Sequence, residues 1–187
     1  NVVLMVIICV PLALYIFVYL TKILPQPLVG HDALNYGIMG RILFEEKSLA
    51  PIWVTDFAKS GYIYSALHAP SFSLLLTWEE LINSTLHVKS DLYFKSIGAY
   101  YALLIVAVQF YWVSKQNKWL AMVAVFALLS GVAFFVKLFS PHIDTYRIFF
   151  FIMSLIYLAY AVKEPDYLSI ILFGIFSGFA AFSHRMG

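Results

Sequence analysis

Charge is what this chain has least of. Asp, Glu, Lys and Arg make up 12% of its 187 residues against 63% hydrophobic, and the mean hydropathy is +0.87. A water-soluble domain of that size cannot hide so much apolar surface, so the composition excludes an ordinary globular enzyme and implies an integral membrane protein. The net charge of +2 is small and spread along the chain, which leaves no basic patch for nucleic acid. Cysteine is nearly absent. Cys9 stands alone inside the first apolar run, which excludes a disulfide framework and a metal–thiolate site. Low-complexity tracts, internal repeats and a soluble domain are lacking too. The first apolar run is too long for a signal-peptide core and has no small-residue cleavage site, so it reads as a span. The chain starts at Asn1 and stops at Gly187 just after an apolar run, which reads as a fragment of a longer protein.

What is present is a series of apolar segments. Residues 2–21 carry no charge and suffice to cross the ~30 Å hydrocarbon layer. Pro11 should kink that helix, which membrane helices tolerate, and Lys22 can snorkel to the surface. After a Pro25-Gln26-Pro27 break comes Gly30-His31-Asp32-Ala33-Leu34-Asn35-Tyr36-Gly37, where the chain should leave the bilayer. Ionisable groups at such a boundary are the first place to look for function. In 31–46, Leu34, Ile38 and Ile42 recur every fourth residue while Asp32, Asn35 and Tyr36 share another face, the pattern of an amphipathic helix lying on the membrane. Gly37 and Gly40 work against it. Residues 49–64 read as loop. A second amphipathic helix, 69–86, opens at His68-Ala69-Pro70. Leu74, Leu75, Trp78, Leu81 and Ile82 form its apolar stripe, opposite Ser73, Thr77, Glu80 and Ser84. Glu79 and Glu80 in its middle favour an interfacial position over a spanning one, although the uncharged run 62–78 leaves spanning open.

Four further apolar runs follow at 97–114, 119–136, 148–162 and 167–183. The third is short for a span unless its ends sit among headgroups. Gly174 and Gly178 in the last have the spacing that favours close helix packing. The expected fold is therefore an all-α polytopic membrane protein, one transmembrane domain of five spans. Two juxtamembrane helices belong to the first outer loop, 25–95. With the first helix running outward, Lys115, Lys118 and Lys163 face the cytoplasm, as the positive-inside rule asks. His31, Asp32, His68, His142, Asp144, Arg147, His184 and Arg185 then all fall at the outer face. The many Phe and Tyr residues read as lipid-facing bulk and interfacial belt.

Carboxylates beside imidazoles can deprotonate a hydroxyl or hold a divalent metal, for which Asp32 and Asp144 are the candidates. Arginines can neutralise a phosphate. Together they suit a group transfer from a lipid phosphate to an acceptor at the outer surface. The order of motifs resembles the polytopic GT-C glycosyltransferases, among them protein mannosyltransferases and the lipid A aminoarabinose transferase. Gly30 to Tyr36 occupies the place of their Asp-Glu or Asp-Asp motif, and His68-Ala69-Pro70-Ser71 is similar to their His-Pro-Pro-Leu motif. Pro141-His142-Ile143-Asp144 matches a later outer-loop Asp, and Gly178 to Arg185 looks like the glycine-rich helix with its terminal basic residue. Ala33 stands where the second acid of the pair would be, and one of the two prolines is missing.

The resemblance implies inverting transfer of a sugar from a polyprenyl-phosphate donor to a glycan, lipid or protein acceptor, at the outer face of a plasma (bacterial inner) membrane. It makes Asp32 the general base, Asp144 and His68 further catalytic residues, and Arg185, Arg147 and His184 the phosphate-binding set. Two plainer readings stand beside it: Asp32 and Asp144 as helix caps, and the arginines as headgroup anchors. A transporter or lipid flippase using Asp32 and Asp144 as proton or substrate sites is the alternative function.

Overall fold

The computed structural model describes residues 2–25, 31–49, 71–87, 92–131, 134 and 142–183, with backbone alone at 2–5, 7, 8, 23, 31, 32, 92 and 93. These residues form seven α-helices and no strand: α1 (Val2–Val18), α2 (His31–Glu46), α3 (Ser71–Thr85), α4 (Leu92–Ser114), α5 (Lys118–Ser130), α6 (Ile143–Lys163) and α7 (Tyr167–Ala181). α1 runs through Pro11 and closes in a π turn, Tyr19–Ile23, where the Leu24 amide donates to the Tyr19 carbonyl over 2.9 Å.

Two helical segments are long and apolar enough to cross a membrane, Phe94–Ser114 and Ile143–Lys163. Cys9–Lys22, α5 and α7 are apolar but shorter. The outward faces carry large apolar side chains, including Leu14 and Phe17 on α1, Val123 on α5, Leu155 on α6 and Ile171 on α7. A soluble helical protein would cover such surface, so these faces associate the chain with a membrane.

The long helices alternate in direction. At one end, Tyr19 Oη donates to Ser96 Oγ over 3.2 Å and Lys95 Nζ to the Leu24 carbonyl over 2.9 Å, which joins the end of α1 to the start of α4. Tyr15 Oη reaches the Leu129 carbonyl at 3.4 Å, bringing in the end of α5. The Tyr101 and Tyr146 rings, 5.2 Å apart, add the start of α6. Phe150 stacks on Phe179 at 5.0 Å and Tyr157 on Phe176 at 5.4 Å, so α6 and α7 are an antiparallel pair and α7 ends beside the start of α6. At the other end Lys115 Nζ donates to Tyr160 Oη over 3.0 Å and lies 4.4 Å from the Tyr111 ring centre. The two tight turns are sealed by caps. Asn117 Oδ1 accepts from the amides of Trp119 and Leu120, and Asp166 Oδ1 accepts from the amide of Ser169.

Three expectations change. Residues 143–147 are helix rather than loop, so α6 has 21 residues and is no longer short for a span. α5 closes at Ser130, with Gly131 extended at its C-cap, instead of running unbroken to 136. A Cβ on Gly174 or Gly178 would meet nothing within 4 Å, so neither glycine serves a close helix contact among the described residues.

α2 and α3 run side by side in the same direction: Tyr36 meets Phe72, Gly40 meets Ser73 and Leu76, and Arg41 pairs with Glu80. Gly40 is required for that approach. A Cβ there would stand 2.9 Å from Leu76 Cβ and 3.3 Å from the Ser73 carbonyl oxygen, and Thr77 Oγ1 donates to the Gly40 carbonyl over 3.1 Å. α3 packs along α2 and touches α4 only briefly. Neither helix buries the whole of its apolar stripe. Leu34, Ile38, Trp78 and Leu81 are exposed, whereas Tyr36, Ser73 and Asn83 are buried. The seam is mixed: Ala33, Met39 and Leu43 of α2 and Phe72 and Leu76 of α3 are buried beside those polar groups, while Ser84, expected on the same face as Ser73, is exposed.

Candidate functional site

The core of the molecule lies at the end where α1, α5 and α7 finish. Tyr36, Phe72, Leu76, Phe94, Ile97, Tyr101, Ile143 and Tyr146 form it, drawn from α2, α3, α4 and α6. Phe72 is the link: its ring lies 5.3 Å from Tyr36, edge to face, and 5.6 Å from Tyr146. Each such pair contributes on the order of 1 kcal/mol beyond its buried area. Much of the aromatic excess is thus a ladder between helices, not only the lipid-facing belt expected from composition. α2 begins about one and a half turns before Tyr36 and α6 less than one turn before Tyr146, so the two helices that carry Asp32 and Asp144 start on either side of one phenyl ring.

Asp144 sits in the first turn of α6. His142, not Asp144, is the N-cap: its Nδ1 lies 3.5 Å from the Asp144 amide, which donates to it. Nδ1 is also 3.3 Å from Asp144 Oδ2, and a protonated imidazole would donate there instead. These two uses of one nitrogen exclude each other, so whether Nδ1 carries a hydrogen selects between a capping role and a carboxylate contact. Arg147, one turn on, donates to Asp144 Oδ1 over 3.2 Å. All three side chains are partly accessible. The cluster can hold an anion on Arg147 or orient a hydroxyl on Asp144.

Of the other expected site residues, Asp32 is described by its helical backbone alone, as is His31. His68, His184 and Arg185 lie outside the described residues. Their neighbours in sequence do meet: Ser71 Oγ donates to the Phe182 carbonyl over 2.9 Å, which ties the start of α3 to the end of α7. Among the described residues no group of three His, Cys, Asp or Glu side chains is arranged to hold a metal. Asp144 with one imidazole and a competing guanidinium does not by itself fit a divalent cation.

One ionisable residue was passed over in the sequence. Glu79 and Glu80 look alike there, but Glu80, its side chain 15% exposed, pairs with Arg41 3.3 Å away across the α2–α3 contact. Glu79 Oε2 is buried with no hydrogen-bond partner among the described residues. Burial, with a smaller contribution from Glu80, pushes its carboxyl up from 4.5 to about 8, so it holds its proton at neutral pH. It lies within electrostatic reach of Tyr101. The signal was in the spacing: Phe72, Leu76, Glu79 and Asn83 fall at i, i+4, i+7 and i+11, which is the inward stripe of α3.

Compared with known proteins, the chain matches no family model, no curated protein and no solved structure.

Proposed function

We propose that the chain acts as a membrane glycosyltransferase of the GT-C kind, moving a sugar from a polyprenyl-phosphate donor to an acceptor hydroxyl on a glycan, lipid or protein at the outer membrane face. The observation that carries this reading is the junction at Phe72, which supports a shared location for the helix starts bearing Asp32 and Asp144. In this reading α1 and α4 to α7 cross the bilayer while α2 and α3 lie at its outer surface. The separation of Lys115 from the Asp144 end supports that orientation.

Asp32 takes the proton of the acceptor hydroxyl as its oxygen attacks the anomeric carbon. The carbon–oxygen bond to phosphate breaks on the opposite side, so the configuration inverts. A carboxylate of ordinary basicity is weak for this task, and late proton transfer in a dry site is what makes it effective. Arg147, with Arg185, His184 and His68 from the neighbouring segments, neutralises the departing phosphate. Asp144 orients the acceptor and holds Arg147 in place. No step is routed through a metal. The test is transfer of label from a polyprenyl-linked sugar to an acceptor in detergent. Asp32→Asn should abolish transfer with expression and fold intact, and wild-type turnover in that variant would remove the base assignment. Uptake of label across vesicles without a new glycosidic bond would favour a transporter instead.

A further inference from the structure

Ser71 stands where three of the expected site segments meet. It opens α3 and is 8% exposed, and its Oγ donates to the Phe182 carbonyl over 2.9 Å. Phe182 is the C-cap of α7, and its amide is spent on the Gly178 carbonyl. Its carbonyl belongs to the set that a helix end leaves without an internal donor. The Ser71 hydroxyl supplies that donor from another helix. The Tyr146 hydroxyl of α6 is a hydrogen-bond partner of the same serine. With its one hydrogen given to Phe182, Ser71 accepts from Tyr146. The Phe72 ring, next in sequence, lies 5.6 Å from the Tyr146 ring and holds the same two helices together.

The flanking sequence makes this junction more than a fastening. His68 is three residues before Ser71, His184 and Arg185 are two and three residues after Phe182, and Asp144 and Arg147 flank Tyr146. Three residues of chain reach at most about 11 Å. The bond from Ser71 to Phe182 therefore limits how far the His68 segment can stray from the Arg185 segment, and the contact with Tyr146 refers both to Asp144 and Arg147. Ser154 is equally well buried, but its Oγ donates to the Phe151 carbonyl of its own helix and ties no segments together.

We propose that Ser71 is a positioning residue for sugar transfer: its bond to the Phe182 carbonyl sets the spacing of the groups that receive the departing phosphate. The proposal rests on the transferase reading, in which Ser71 touches no reacting atom. What the bond fixes is the relative placement of His68, His184 and Arg185 as charge develops on the phosphate. Its loss is felt in turnover more than in donor binding.

Initial rates of label transfer at varied polyprenyl-linked sugar, measured on the full chain purified in mild detergent, test it. Ser71→Ala should lower kcat on the order of 10- to 100-fold and change the donor KM by less than about threefold. Ser71→Thr keeps the hydroxyl and should return kcat to within about threefold of wild type. Ser154→Ala, a matched loss of a buried hydroxyl, should leave kcat unchanged. Ser71→Cys, a weaker donor of similar size, takes the place of Ser71→Ala should that variant fail to fold, and its kcat should fall below wild type with the donor KM held. Undiminished kcat at position 71, a loss matched by Ser154→Ala, or a loss that Ser71→Thr does not restore overturns the proposal while the transferase reading stands. Absence of transfer by the wild-type chain brings down the transferase reading and the proposal with it.

Discussion

Glu79 should make the fold less stable as pH rises, and Glu79→Gln should remove that dependence. In the folded chain the carboxyl stays protonated up to about 8, whereas in the unfolded chain it ionises near 4.5. Below 4.5 both states are protonated and Glu79 contributes no difference. Between 4.5 and 8 the unfolded state gives up its proton while the folded state keeps it, so stability falls across that window. Above 8 both are ionised and the loss stops growing. At ~1.4 kcal/mol for each tenfold change in proton affinity, the loss has a ceiling of about 5 kcal/mol. The side chain is only partly buried, and water screens it, which leaves on the order of 1–2 kcal/mol. Glutamine keeps the shape and never ionises. Unfolding by SDS in mixed micelles, followed by far-ultraviolet circular dichroism at pH 4.5, 6 and 8, should show the variant equal to wild type at the lowest pH and increasingly more stable above it. Two curves that stay parallel across the window would refute the buried, proton-holding carboxyl.

Gly40→Val should destabilise the α2–α3 pair by about 1–3 kcal/mol, because the new Cβ runs into Leu76 and the Ser73 carbonyl. In the same assay Gly174→Ala, which meets open space, should be neutral or stabilising by up to about 1 kcal/mol. Asn117→Ala removes the acceptor for two amides and should cost about 1 kcal/mol in unfolding free energy. In a Cys9→Ser background on sealed cells, an impermeant maleimide should label a cysteine placed at Leu86 and leave one placed at Gln116 or Glu164 unlabelled. Labelling of Leu86→Cys and Gln116→Cys from the same side would overturn the five-span orientation.

The long helices were legible because the contrast between apolar runs and charged turns is large. Lys115-Gln116-Asn117-Lys118 and Lys163-Glu164-Pro165-Asp166 ended their helices as expected, and each turn supplies the cap of the next helix from its own Asn or Asp. The α6 boundary was misjudged because Asp144 and Arg147 were counted as loop charges. Three residues apart on a helix they neutralise each other, and both fit inside its first turns. The same pairing could have been read from the sequence as a site feature. The contact of Arg41 with Glu80 could not, since the two are 39 residues apart and nothing local marks them as partners.

The orientation of α2 and α3 was hidden for a different reason. Periodicity separates two faces of a helix but does not say what each face meets. In water the apolar face seeks the protein. Beside a bilayer lipid already satisfies it, and the face left over must find hydrogen bonds and close packing inside the molecule. Gly40, Ser73 and Thr77 let the two backbones approach, beside buried Met39, Leu43, Phe72 and Leu76. Thr77 completes the seam with one hydroxyl hydrogen shared between the carbonyls of Ser73, at 2.8 Å, and Gly40, at 3.1 Å. The same rotation that turns Trp78 and Leu81 outward carries Glu79 Oε2 inward, one residue from the Arg41–Glu80 pair. Its burial therefore follows from the outward-turned stripe of α3. A substitution that made the stripe polar, such as Trp78→Glu with Leu81→Lys, would favour a helix rotated toward water and should bring the Glu79 carboxyl back toward 4.5 without any change at Glu79 itself.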